Sequence, residues 1–503
     1  MQRDLNRLTG QVHDLLIVGG GIHGACIAWD AALRGVSVAL VERNDFGAAT
    51  SANSLGIVHG GLRYLARGDL PRMRESIRER STLLRIAPGL VVPLPVLVPT
   101  RGTGTQSRLA LRAALALNDL GSSGRNRGLD ADHRIPAGRM LSVSAAAACF
   151  PPLARGDVTG GALWHDARLR RPERLTLSFI RSAADRGAAV ANYLEVERLL
   201  TSDGAVTGAE VLDRRSGARF RIQARAVVVA AGPWIGSLVA RPASQRNDSA
   251  TGQAVALNLV VGRRLAETAV GIKSLSGAAE DPVVGGHRFL FLAPHDGATL
   301  LGTWYAVDDG ADPRTTVQRG AAALLAEFNA ACPGLALSSA DIARVQWGRL
   351  PLKAGLEPGR SSALAERPRI RDHASEGARH LFSVEGVKYT TARRVAAVTV
   401  DKILADLGLR DPGCRTADTP LSGAYDVPPE DPQLDLRIRE AIRNEMALTL
   451  GDVVFRRTGL GEVPGPHREA VCAAARIAAQ ELAWDSAREA AEVEDVMRLA
   501  GAA

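Results

Sequence analysis

Residues 13–42, HDLLIVGGGIHGACIAWDAALRGVSVALVE, leave the first part of the chain few choices of fold. The LLIV run at 15–18 suits a strand buried on both faces of a parallel sheet. Gly19, Gly21 and Gly24 then follow in GxGxxG spacing. The first glycine permits the tight turn, and the second lets the backbone approach a pyrophosphate. The third lets the next helix pack closely on the strand. That helix is predicted over about 22–34, with its free N-terminal amides and positive dipole end turned to the phosphates. Gly35 ends it, and VSVALVE forms a second strand closing on Glu42, eighteen residues after Gly24. A carboxylate there accepts hydrogen bonds from ribose 2′- and 3′-hydroxyls and repels a 2′-phosphate.

The next stretch, RNDFGAATSANSLGIVHGGLRYL, is rich in hydroxyl residues (Thr50, Ser51, Ser54) and glycines (Gly47, Gly56, Gly60, Gly61). Such a backbone runs close to a flat ring system while its N–H and hydroxyl groups satisfy ring and phosphate oxygens. His59, Arg63 and Tyr64 beside those glycines are an odd composition for a plain surface loop. The position of the motif near the start of the chain, and this stretch after it, favour FAD over NAD, held non-covalently.

With these pieces in view, the chain resembles the FAD-dependent glycerol-3-phosphate dehydrogenases, within the wider glycine/D-amino-acid oxidase group. The matching segments are GGGIHGACIAWDAALRG, ATSANS, HGGLRYL at 59–65, WHDARL at 164–169, AAGPW at 230–234 and GVKYTTARR at 386–394. They occur in the family's order over roughly 13–405, and EMALTLGDVVFRRTGLG at 445–461 is similar to the helical domain closing many members. The resemblance implies an α/β fold: a Rossmann-type FAD-binding domain, an antiparallel-sheet substrate domain and a C-terminal helical domain. It also implies that RFRIQARAVVVAAGPW, an alternating strand running into a buried AVVVAA strand, returns beside the adenosine, with Gly232 at its turn. Near 381–394, the LFSV strand leads through Gly386 into a helix from about Thr390. Its amides and Lys388 would face the flavin pyrimidine, where negative charge accumulates on reduction.

The departures from the family pattern cluster where the substrate belongs. Members usually carry Gly-Val-Arg-Pro-Leu, whose arginine holds the substrate phosphate; here the segment is Gly348-Arg349-Leu350-Pro351-Leu352. A one-residue shift in a strand turns a side chain to the opposite face. A family histidine aligns with Asn258, the usual Gly-Thr-Thr-Asp is Gly302-Thr303-Trp304-Tyr305, and Gly56 stands where Lys or Arg is common. Arg371 in RIRDH matches a second family arginine. Arg63, Arg349, Lys353, Arg371 and Lys388 are thus the cations available to a small anionic substrate. The resemblance implies oxidation of sn-glycerol 3-phosphate to dihydroxyacetone phosphate, with hydride passing to flavin N5. Electrons would leave to a quinone or to oxygen. Tyr64, His59 or a bound water are the candidate bases. The alternatives are oxidation of a 2-hydroxy acid or an amine on the same fold, and a flavin-binding protein with degraded catalysis.

Composition narrows the partners. The net charge of +8 is spread along the chain without a polybasic run, which argues against nucleic acid. Only Lys273, Lys353, Lys388 and Lys402 among the 62 basic residues are lysines, so Lys388 stands out. Cys26, Cys149, Cys332, Cys414 and Cys472 show no CxxC spacing, arguing against local metal ligation and disulfides and for small core residues. No apolar run reaches membrane-spanning length and no signal-peptide core is visible, so a cytoplasmic protein is expected. An amphipathic helix predicted over 105–120, with two arginines, raises peripheral contact with the inner face of the membrane. The expected division is an FAD domain of 12–100, 160–235 and 345–405, a substrate domain of 101–159 and 236–344, and a helical domain of 410–503. Within the substrate domain, HRFLFLAPHDGATLLGTWYAV reads as a hairpin turning at His295-Asp296-Gly297, with His295 only a turn residue.

Overall fold

The computed structural model describes residues 1–65, 68–155, 157–239, 252–275, 288–353, 364–428, 430–462, 465 and 467–500. Two sheets carry the fold. In the first, the strands Leu381–Glu385, Arg219–Val229, Val12–Val18, Val38–Val41 and Ala189–Ala191 lie side by side and parallel. Arg369–Asp372 pairs antiparallel at one edge. Leu15, Leu16 and Ile17 are wholly buried, as a strand covered on both faces requires. One face packs the helices Ile22–Leu33, Pro172–Asp185 and Ala392–Asp406. The other face is closed by Leu8 and by the meander Leu194–Ser202, Ala205–Asp213 and Arg219–Val229.

Among the described residues the second sheet has nine strands, and it supports the helix Pro313–Ala331 through a core of Leu257, Leu259, Leu301, Leu324 and Phe328. The expected hairpin is present: Phe289–His295 pairs antiparallel with Ala298–Val307, His295 facing Ala298 across the turn. Three strands expected in the FAD unit pair instead in this sheet, namely Val91–Thr100, Gly160–Leu169 and Ile342–Pro351. Val91–Thr100 and Gly160–Leu169 pair with each other in an unbroken antiparallel register of ten residue pairs, which joins them to the roof rather than to the parallel strands. His295 is more than a turn residue, because it is buried with Nε2 2.7 Å from Glu462 Oε2 of the C-terminal part. The cysteines are all free; Cys26 and Cys332 are buried as expected, but Cys414 is exposed.

The helices Leu434–Glu445, Arg468–Leu482 and Ser486–Ala500 form a separate apolar core. Charge ties this unit to the nucleotide sheet. Arg457 grips Asp45 at 2.8 Å through both Nη atoms, and Arg456 Nε adds a third contact at 2.6 Å. Burial opposes the Asp45 charge, but the two arginines outweigh it and hold the carboxyl far below the usual range. Removing one member of a buried pair strands the other charge at a cost of about 3–5 kcal/mol. Asp45→Asn is therefore expected to lower stability by about that amount in urea unfolding. A loss below about 1 kcal/mol would mean that the guanidinium groups find water instead.

Candidate active site

A cleft of about 390 Å³ runs along the carboxyl ends of the parallel strands and under the second sheet. Its nucleotide end is built by close approaches. Gly19 has φ +111°, and a Cβ there would lie 2.7 Å from the Ala230 carbonyl oxygen. A Cβ on Gly24 would lie 1.9 Å from the Gly19 carbonyl oxygen, so the helix seats on the turn only with glycine. Gly21 caps the helix Ile22–Leu33, and the Ile22 N–H donates to Ser51 Oγ at 3.0 Å. Glu42 Oε2 accepts from the Gly20 N–H at 2.8 Å, and Oε1 from the Asn44 N–H at 2.9 Å. Burial raises the Glu42 pKa against the pull of these two donors. Beside it the Arg43 guanidinium lies 3.8 Å from the centroid of the Trp234 ring, a flat platform in the cleft wall.

The opposite end is lined by Ser54, Asn258, Thr303, Tyr305, Leu350, Gly386 and Lys388. Thr303 Oγ1 donates to Asn258 Oδ1 at 2.7 Å. Lys388 Nζ donates to the Tyr64 hydroxyl and lies 4.4 Å from that ring's centroid. The ring of His23 lies so close to Gly386 that a Cβ on the glycine would fall 1.9 Å from it. His23 Nε2 and Ser54 Oγ are buried without a hydrogen-bond partner from the protein. Buried polar atoms of this kind want a partner. A glycine-lined turn, a carboxylate at one end, a lysine at the other and two orphaned polar atoms between them fit FAD.

Of the cofactor residues expected from sequence, Gly19, Gly21, Glu42, Thr50, Ser51, Ser54, Gly232, Gly386 and Lys388 line this cleft. Gly24 acts from behind it. Gly60 does not line it: its N–H donates to Asp166 Oδ1 at 2.6 Å, and a Cβ there would lie 2.0 Å from Arg80 Nη1. Thr390 is also outside the lining, and the helix starts at Ala392 because Tyr389 turns into the core to donate to the Pro172 carbonyl oxygen at 2.6 Å.

The expected substrate residues are dispersed. His59 is 47% exposed and its Nδ1 lies 3.2 Å from Asp166 Oδ2. Burial works against the Asp166 charge, but His59, Arg80 and the Gly60 N–H prevail and hold its carboxyl below the usual range. The side chain of Arg63 lies outside the described residues. The Arg349 backbone meets Thr50, while its Nε donates to Asp308 Oδ2 at 2.6 Å and its guanidinium sits 5.9 Å from the Trp347 ring centroid. Its charge is thus committed to Asp308, although Arg349 and Leu350 both line the cleft. Arg371 stands on the edge strand and Lys353 is exposed, both outside the lining. His23 and the Arg43–Trp234 pair escaped sequence reasoning; a histidine inside GGGIHG, where the helix is otherwise apolar, was the available signal for the first.

The comparisons with known proteins agree with this geometry. Residues 14–401 match the family described as FAD dependent oxidoreductase, and 415–489 match the C-terminal domain of alpha-glycerophosphate oxidase. Glycerol-3-phosphate dehydrogenase 1 of Mycobacterium tuberculosis is 31% identical over 94% of this chain and 96% of its own. The chain belongs to the FAD-dependent glycerol-3-phosphate dehydrogenase family. It is an oxidoreductase, and FAD is its cofactor. The glycerol-3-phosphate dehydrogenase of Synechocystis sp. is 30% identical over 85% of this chain and 76% of its own. The fold is shared with the Bacillus halodurans glycerol-3-phosphate dehydrogenase complexed with FAD, at a TM-score of 0.71 and 24% identity, covering 99% of this chain and 96% of that one.

Two outcomes follow for the cofactor end. Glu42→Ala is expected to weaken FAD by about 1–3 kcal/mol in a fluorescence titration, through lost charged hydrogen bonds and freed backbone donors. Unchanged affinity would remove Glu42 from the ribose. Burial pushes the His23 imidazole from 6.5 down to about 4, so the fold keeps it neutral. The unfolded chain takes up that proton first, and stability falls as pH drops from 6.5 to about 4. In cofactor-free protein, His23→Asn is expected to flatten the melting-temperature profile across that window, and a superimposable profile would contradict the assignment.

Proposed function

We propose that the protein oxidises the secondary alcohol of sn-glycerol 3-phosphate to the ketone of dihydroxyacetone phosphate. Family membership over most of the chain is the observation that carries this reading. Non-covalently bound FAD supplies the hydride acceptor. Lys388 presents positive charge at the cleft end where reduction places negative charge. Tyr64, His59 or a bound water accepts the proton; Asp166 Oδ2, 3.2 Å from His59 Nδ1, is placed to hold a ring proton there and leave Nε2 free to accept one. Lys388 holds the substrate anion. Electrons leave to a quinone or to oxygen.

Among the described residues no helix is long and apolar enough to cross a membrane. Contact with a membrane surface is assigned to the helix Arg108–Gly121, on which Leu109, Leu117 and Leu120 are exposed beside Arg108 and Arg112.

The commitment of Arg349 to Asp308 favours a second reading, oxidation of a 2-hydroxy acid or an amine, whose single charge needs fewer cations. Mixing the protein anaerobically with each candidate and following loss of the 450 nm flavin band separates the two. Glycerol 3-phosphate is expected to bleach the flavin. Restoring the family order with Arg349→Val and Leu350→Arg is expected to raise kcat/KM roughly tenfold, the worth of one charged hydrogen bond. Faster bleaching by 2-hydroxy acids or amino acids, with none by glycerol 3-phosphate, would establish the second reading.

A further inference from the structure

A second concavity, of about 1480 Å³, lies on the other side of Lys388. Its walls are the helix Leu70–Ile86, the turn 121–128, the segment 366–368 and the start of the helix Ala392–Asp406. Ten basic side chains line it against five acidic ones. Four of those five acids are already engaged: Asp69 and Glu366 by Arg72, Glu79 by Arg393, and Asp418 by Arg85. Arg74, Arg78, Arg127 and Arg394 form no salt bridge among the described residues; Arg394 lies within electrostatic reach of Glu79, and Glu75 is the remaining acid of the lining.

Arg74 and Arg78 are one turn apart on the same helix, where like charges repel. Arg127 stands on the turn and Arg394 on the facing helix, so exposed basic side chains line the groove from three elements. The floor is fixed in advance. Arg393 is held by Glu79 and by Thr416 Oγ1 at 2.8 Å, and Ser81 Oγ donates to the Arg125 carbonyl oxygen at 2.8 Å. Convergent guanidinium groups on a rigid base match phosphate oxygens, and they relieve their mutual repulsion by taking up an anion.

We propose that this groove is a binding site for a small metabolite carrying two or more phosphate groups, adjoining the site of oxidation. Its concave shape, walled on several sides, suits a compact polyanion rather than a flat bilayer or a duplex, which needs a basic stripe across an open surface. Val387 and Lys388 line both this groove and the cofactor cleft. Anionic charge bound in the groove therefore acts on the lysine that reaches Tyr64 at the cofactor end, and the occupant can modulate the enzyme. The site stands whichever alcohol or amine the cleft oxidises.

The test titrates the FAD-loaded full chain with sodium tripolyphosphate at constant ionic strength, following heat and the flavin difference spectrum. Inorganic phosphate and phosphatidylglycerol vesicles serve as separate arms. Saturable tripolyphosphate binding with a flavin perturbation is expected, and weaker binding of inorganic phosphate. The triple variant Arg74→Gln, Arg78→Gln, Arg394→Gln should lose affinity at least tenfold while keeping its FAD content and melting temperature. If it unfolds, the single Arg78→Gln variant is expected to show a several-fold loss. Binding no stronger than that of chloride, or equal affinity in a folded variant, would overturn the proposal. So would binding to the vesicles without binding to tripolyphosphate.

Discussion

The contact between the Gly24 Cα and the Gly19 carbonyl is the constraint on which the rest of the molecule depends. With 1.9 Å between that oxygen and a Cβ at position 24, any side chain would lift the helix Ile22–Leu33 off the strand Val12–Val18. The same helix is the surface on which Pro172–Asp185 and Ala392–Asp406 pack, so its height above the sheet sets theirs. It also fixes His23 against Gly386, and through that loop the position of Lys388 at the far end of the cleft. One close backbone approach thereby sets the distance between the Glu42 carboxylate and Lys388.

Buried arginine pairs then hold the remaining parts to this frame. Asp45 lies three residues after Glu42 and receives both Arg456 and Arg457 from the C-terminal part. Arg174, on the helix behind the cofactor helix, binds Glu445 at 2.6 Å. Arg171 reaches Glu462 at 2.7 Å. Such pairs contribute little net stability against apolar replacements, but breaking one is costly, so they specify where the helical unit docks. The helical unit is accordingly anchored close to Glu42 rather than tethered by the linker alone.

Much of this was legible because the decisive signals were local. The glycine spacing, the apolar run before it and Glu42 after it determine one supersecondary unit without reference to the rest of the chain. The hairpin around Asp296-Gly297 was similarly self-contained. What escaped depends on distant partners. Gly60 looked like a cofactor glycine, but its bareness serves Arg80, twenty residues on. His295 looked like a turn residue until Glu462 met it. The strands 91–100 and 160–169 carry strand patterns that do not say which sheet they join, and their mutual pairing decided it. Cys414 is exposed although its residue type favours burial.

The central claim is electrostatic: a carboxylate grips one end of FAD, and Lys388 stabilises the negative charge that reduction brings to the other. The direct measurement is the two-electron midpoint potential of the bound flavin in wild type and in Lys388→Met. Loss of the ammonium is predicted to lower the potential by about 30 mV or more, equivalent to about 1.4 kcal/mol. A midpoint unchanged within error, in a variant that still binds FAD, would contradict the account.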